Sequence, residues 1–411
     1  KKQKSIMMRT ASQCLFTMGK KVACRHQTRA FVSLQSLVQK QAVSAISNGI
    51  LSQQDDYLFN GVPNAMWSLP ADTNIHSLLA QHNHADPFKL AQPDVNRVNN
   101  HIMEAVGSDH PVVRSIATHF FENTGKFFRP TILCLISRAL SPTHEISDRQ
   151  VVLAEITELI HTASLLHDDV IDESATRRGT SSVHSVYGNK LAILGGDYLL
   201  ARASVLLARL RDCDVTETMS MVIEHLVKGE VMQLAQPSAV TVDNETELAA
   251  RLQKYITKSY YKTASLIANS CRSAALLEGY DATTVAIATE FGKNCGLAFQ
   301  IVDDILDFEG KANSLGKPTF NDLKQGMATL PVFLAISEYP QLTPMIERKF
   351  NQKGDVEQAI MFVEKSNSLQ RAREFAEEYA GNAVASLLQL PASPSQSALI
   401  ALIEKVLVRQ S

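Results

Sequence analysis

Residues 151–173 read VVLAEITELIHTASLLHDDVIDE, and the spacing of their apolar side chains sets the secondary structure. Ile156, Leu159, Ile160, Ala163, Leu166 and Val170 recur at intervals of three and four, the period of one helix face. The run ends in His167-Asp168-Asp169-Val170-Ile171-Asp172. On a helix, Asp168 and Asp172 lie four apart and share a face, where like charges repel by about a few tenths of a kcal/mol. The same arrangement returns in Gln300-Ile301-Val302-Asp303-Asp304-Ile305-Leu306-Asp307, which pairs Asp303 with Asp307. A solvated acidic helix end explains one such cluster. Two of identical spacing, each closing an apolar run, imply a cation that offsets the repulsion. Carboxylates with no His or Cys at ligand spacing favour hard ions, Mg²⁺ foremost. An Mg²⁺ held by one or two carboxylates keeps positions for phosphate oxygens.

Outward from this stretch the helical period continues almost everywhere beyond Asp86. It predicts helices at 111–122, 126–139, 190–211, 215–234, 245–278, 282–308, 327–337, 355–366, 368–390 and 395–409. Turn chemistry separates them at Ser141-Pro142, Gln236-Pro237-Ser238, Gly279 and Pro391-Ala392-Ser393-Pro394. No alternating strand run is visible. With only 18 Gly and 14 Pro in 411 residues, turn-rich sandwiches and barrels are disfavoured, and the expected class is all-α. A net charge of −2 provides no basic field, so nucleic acid is not an expected partner. The six Cys are scattered without a CxxC pair and read as reduced thiols rather than a disulfide or zinc framework. The most apolar stretch, near 191–210, is interrupted by Asp197 and Arg202, so no membrane span is expected.

The first 54 residues carry nine Lys or Arg and no Asp or Glu. Ser, Gln and Ala are frequent there, with apolar side chains between the basic ones. This is the composition of a mitochondrial transit segment, assigned to residues 1–50; a basic tail for an anionic surface is the other reading. Residues 51–85 read as a linker or arm, and 86–411 as the folded body.

Cationic groups accompany the acidic clusters. Gly125-Lys126-Phe127-Phe128-Arg129-Pro130 sets Lys126 and Arg129 three apart at a helix start, and Arg177-Arg178 follows the first cluster. Lys262-Thr263 and Gly316-Lys317-Pro318 lie nearer the second in sequence. Arg as a bidentate fork and Lys as a point charge are the diphosphate-binding side chains. Together they outline a site for two diphosphates, one carried by metal and one by bare cations. His161, seven residues before Asp168, serves either packing or ligand binding.

These residues, in this order, closely resemble the trans-polyprenyl diphosphate synthases, with GKxxRP, HTAxLxHDDxxDxxxxRRG, KTA, FQxxDDxxD and GKP all present between residues 86 and 411. Among them the chain is most similar to the mitochondrial enzymes that make the ubiquinone tail. The resemblance implies an all-α isoprenoid synthase fold, with helices around a central cavity. It implies that Asp168, Asp169 and Asp172, with Asp303, Asp304 and Asp307, hold Mg²⁺ on an allylic diphosphate, three ions with substrate bound. Arg177, Lys262, Thr263, Gln300 and Lys317 resemble the allylic diphosphate contacts, and Lys126, Arg129, His161 and Arg178 the isopentenyl diphosphate site. Asp168, Asp172, Asp303 and Lys262 are the expected catalytic set. Ala163 and Ser164 stand five and four residues before Asp168, where relatives making short products carry a bulky aromatic. Small side chains there imply a long product. Relatives often have Lys where this chain has Met327, and neighbouring Lys324 could supply that charge. A matrix location associated with the inner membrane, peripheral membrane contact for product release, and a homodimer or a heteromer with a second synthase subunit complete the expectation. A class I terpene cyclase and a non-catalytic subunit are the alternatives.

Overall fold

A computed structural model describes residues 68–70, 73–82, 86–107, 115–116, 119, 121, 127–177, 180–234, 244–310 and 320–409. The transit segment, most of the linker, Lys126, Arg178 and Lys317 lie outside the described residues. The chain divides into two compact units, residues 64–238 with 255–411 and residues 1–63 with 239–254. The larger unit carries every site residue discussed below.

In chain order the helices are α1 Ile75–Ala80, α2 Pro87–Ala105, α3 Phe128–Leu140 and α4 Asp148–Ile171. A two-residue hairpin follows, β1 Thr176–Arg177 against β2 Thr180–Ser181, antiparallel with Thr176 opposite Ser181. Then come α5 Val183–Tyr187, α6 Asn189–Leu210, α7 Cys213–Leu234, α8 Asn244–Ser259, α9 Ser265–Leu277 and α10 Ala282–Glu309. The last are α11 Asn321–Lys324, α12 Leu330–Ala335, α13 Leu342–Glu347, α14 Asp355–Lys365, α15 Ser368–Leu387 and α16 Pro394–Val408. The hairpin escaped sequence reading because two-residue strands show no alternation. The run expected over 245–278 is helical, but residues Tyr260–Ala264 form one π turn between α8 and α9.

α4 begins with a capping box, in which Ser147 and Gln150 each satisfy the other's backbone N–H. Its apolar side packs Leu153, Ile156, Leu159 and Ile160, all fully buried, against α3, α6 and α9. Each such side chain contributes about 1.5–3 kcal/mol of burial, which more than offsets the repulsion at the acidic end. α10, the longest helix, lies on α9 through Gly292 and Gly296. A Cβ on Gly296 would stand 2.5 Å from the Ala264 Cα, so that glycine sets how closely α10 meets the π turn. A satellite cluster of Phe308, Leu323, Val332, Leu342, Ile346 and Val363 packs the end of α10 with α11 to α14.

α6 is long and apolar enough to cross a membrane by length and composition. Its Ala192, Leu199, Ala203, Leu206 and Leu207 nevertheless belong to the hydrophobic core, on the side that meets α4. Cys134, Cys271 and Cys295 are buried free thiols, and Cys213 is an exposed one.

Candidate active site

The two acidic clusters close α4 and α10. At the first, Asp168 is half-buried and Asp169 is buried. Asp169 turns away from Asp168 to meet the Arg177 guanidinium, whose Nε donates to Oδ1 at 2.8 Å and whose second nitrogen also contacts Oδ1. The hairpin brings Arg177 back to the helix end, so this expected diphosphate contact braces the cluster. Burial pushes the Asp168 carboxyl up to about 7, helped by the charge of Glu230 and, less, of Asp172, and opposed by Lys262.

The second cluster has the same spacing and different partners. Asp303 pairs with Arg409 at 3.0 Å, and that guanidinium stacks on the Phe299 ring at 3.9 Å. Buried Asp304 accepts from Tyr255 Oη at 2.7 Å and from Gln300 Nε2 at 2.8 Å. Burial raises its carboxyl to about 6, with those bonds and Lys258 pulling it back. Asp307 accepts the backbone N–H groups of Asn321 and Asp322. Burial raises it as well, and the charge of Lys324 acts against that rise.

The π turn between α8 and α9 presents Lys262 and Thr263. The Lys262 ammonium meets Glu230 and donates to Gln233 Oε1 at 2.9 Å. Thr263 Oγ1 donates to Gln300 Oε1 at 2.6 Å. One residue thus acts electrostatically on the first cluster, and the next joins, through Gln300, the second. Single π turns inside α-helices are frequent at functional sites. Two turns up α4 from Asp168, on the same face, Arg129 and His161 meet, with Arg129 Nη1 donating to His161 Nε2 at 2.8 Å. Going up α4 from Asp168, Ser164 and His161 follow at four and seven residues and are half-buried, whereas Ala163 is fully enclosed. Ser164 Oγ donates to the His161 carbonyl at 2.8 Å.

Sequence reading missed Glu230, Gln233, Tyr255, Lys258, Asp322 and Arg409. Burial pushes the Asp322 carboxyl up to about 8, with the charges of Asp304, Asp307 and Asp303 adding to it. It is in effect a further acid of the second cluster. Gly229-Glu230-Val231-Met232-Gln233 carries a glycine followed by two polar groups on an otherwise apolar helix, which was a readable signal. Asp322 and Arg409 carried none, because only the fold brings them to α10.

Among the described residues no three acidic, His or Cys side chains stand close enough to form a complete metal cage. The donor set nevertheless fits Mg²⁺. It is all oxygen, burial lifts several of its carboxyls, and an Mg²⁺ using one or two carboxylates and substrate oxygens needs no cage.

A family model described as polyprenyl synthetase matches residues 110–363. The chain belongs to the polyprenyl synthetase family. Decaprenyl-diphosphate synthase of Dictyostelium discoideum is 48% identical over 337 residues, covering 78% of this chain and 71% of that one. Probable mitochondrial hexaprenyl pyrophosphate synthase of Yarrowia lipolytica is 41% identical over 387 residues, covering 79% and 85%. A solved polyprenyl synthase of Caulobacter crescentus, complexed with calcium and isoprenyl diphosphate, matches with a TM-score of 0.70 and 31% identity, covering 79% and 97%. The fold is therefore the all-α isoprenoid synthase fold, as the periodicity and motifs led us to expect. The chain is an enzyme of prenyl transfer, a trans-polyprenyl diphosphate synthase, and the cyclase and non-catalytic readings are set aside.

Proposed function

We propose that the enzyme condenses an allylic diphosphate with successive isopentenyl diphosphate units to make a long all-trans polyprenyl diphosphate for the ubiquinone side chain. The observation that carries this is the π turn. Lys262 and Thr263, adjacent in sequence, tie the two acidic clusters into one site. Asp168 and Asp172, with Asp303, Asp304 and Asp307, would hold Mg²⁺, three ions with substrate bound. When bound, Mg²⁺ supplies Lewis acidity that neutralises the leaving diphosphate. Lys262 and, from outside the described residues, Lys317 add bare positive charge to that diphosphate. Arg177 neutralises Asp169, so that carboxylate does not oppose the diphosphate. Arg129 and His161, joined by their hydrogen bond, form with Lys126 and Arg178 the clamp for isopentenyl diphosphate. Holding both substrates in one orientation converts a two-body encounter into an intramolecular step. The apolar walls of α3, α4 and α9 exclude water from the reacting carbons.

Product length would be set where the tail passes α4, about one turn above Asp168 at Ala163 and Ser164. The test is chromatography of products made from labelled isopentenyl diphosphate. Wild type should release long polyprenyl diphosphates. Ala163→Phe or Ser164→Phe should shift them to about fifteen or twenty carbons while turnover persists, because a ring forced into a packed passage cannot move aside. Long products from both active variants would place the tunnel elsewhere.

The acid-free leader and the mitochondrial relative support a mitochondrial enzyme, and we place it in the matrix at the inner membrane, where an apolar product would be released. Residues 1–50 would be the transit segment, 51–85 an arm and 86–411 the synthase body. Exposed Ile193 and Leu194 on α6, with Val227, Val231 and Leu234 on α7, suit a second subunit of the same or a related chain.

A further inference from the structure

α7 turns a polar strip toward the π turn. His225, Gly229 and Gln233 are spaced four apart and share a face, with Glu230 beside them. The four divide the work. His225 stacks on the Tyr261 ring at a centroid distance of 4.7 Å and hydrogen-bonds Ser265 Oγ at 2.7 Å, holding the turn at both ends. Gly229 removes the side chain that would block the approach, since a Cβ there would lie 2.6 Å from Lys262 Cγ and 3.3 Å from Tyr261 Cβ. Glu230 and Gln233 then receive the Lys262 ammonium. Lysine has a long, freely rotating stem, so an ammonium with fixed coordinates needs fixed acceptors. Here two stand three residues apart on a rigid helix. Both Lys262 and Glu230 are mostly buried, with side chains 22% and 17% exposed, so water does not screen the pair strongly.

We infer that Glu230, assisted by Gln233, is a positioning residue for prenyl transfer. It holds the Lys262 ammonium beside Asp168 before the allylic diphosphate arrives. Glu230 itself touches neither substrate nor metal in this assignment; it acts through Lys262. The inference rests on the prenyl-transfer reading of the site.

The test is a double-mutant cycle on the full chain with Mg²⁺, using K262A, E230Q and the double variant. The Michaelis constant is measured for each substrate in turn, with folding verified by circular dichroism. E230Q should raise the constant for the allylic diphosphate about tenfold, the scale of one lost hydrogen bond to a charged group, and leave that for isopentenyl diphosphate unchanged. The double variant should be no worse than K262A alone, because Glu230 has nothing left to position. Q233A, which removes only a neutral acceptor, should show a smaller effect that K262A also abolishes. It supplies the same cycle if E230Q does not fold. Losses that multiply in the double variant, or equal rises for both substrates, would overturn the positioning role while leaving the site reading in place. A K262A enzyme with unchanged constants and turnover would instead remove Lys262 from the site, and with it both readings.

Discussion

The ends of α4 and α10 carry the same three-aspartate spacing in opposite settings. At α4, one acid is withdrawn by Arg177 and Asp168 is left under burial and the charges of Glu230 and Asp172. At α10, each acid already has a partner: Arg409 for Asp303, Tyr255 and Gln300 for Asp304, and two backbone N–H groups for Asp307. Equal sequence therefore does not mean equal readiness for a cation. In the first cluster Asp168 is under burial and nearby acids, with Lys262 acting against them, while the second is a pre-bonded frame that a metal would join. The difference arises from what each helix end faces, the Glu230–Lys262 pair in one case and Arg409 with the N–H groups that open α11 in the other.

The comparison is broken most severely at Asp168. Asp168→Ala should keep the fold and reduce turnover by about two to three orders of magnitude, the cost of one preorganised electrostatic contact. Near wild-type rates at saturating Mg²⁺ would show that Asp168 is not a metal ligand. Next comes the brace. Arg177→Ala leaves Asp169 buried and unpaired, which should cost about 3 kcal/mol of stability in urea unfolding and also lower activity. An unchanged midpoint would mean that the first cluster does not depend on its brace.

A smaller effect is expected in the pre-bonded frame, where partners are redundant. Tyr255→Phe removes one of two hydrogen bonds to Asp304 and should destabilise by about 1.5 kcal/mol, with turnover reduced less than in Asp168→Ala. A larger kinetic loss there than at Asp168 would invert the comparison.

The smallest effect serves as a control for burial alone. Glu155 lies on α4 thirteen residues before Asp168, near His101, and burial pushes its carboxyl from 4.5 to about 7, with Arg202 opposing and Glu104 adding. A carboxyl raised on folding stabilises fully below its unfolded value and loses that contribution as pH climbs through its folded one. Glu155→Gln cannot ionise, so at about pH 8 it should be more stable than wild type by about 1 kcal/mol, and the gap should close below pH 4.5. Turnover should be unchanged. A drop in turnover would mean that lifted carboxyls on α4 are functional along its length.

Much was legible in residues 151–173 and 300–307. Apolar period, acidic spacing and the nearby cations are local, and local periodicity reports the helix face directly. From them the sequence alone determined the all-α class and the two acidic helix ends and offered Lys262 and Thr263 as companions, while Gln300 came from the family resemblance. Several boundaries also agree closely, as at Ala282–Glu309 and Asp355–Lys365. What the tertiary structure decided is pairing. Glu230 lies 32 residues before Lys262, and Arg409 lies 106 residues after Asp303. Nothing in either stretch announces the other. A carboxylate's readiness for metal depends on desolvation and on charges within a few ångströms, and those are set by which helices pack together. Sequence spacing could therefore name the aspartates, while only the packed fold could show which groups each of them meets.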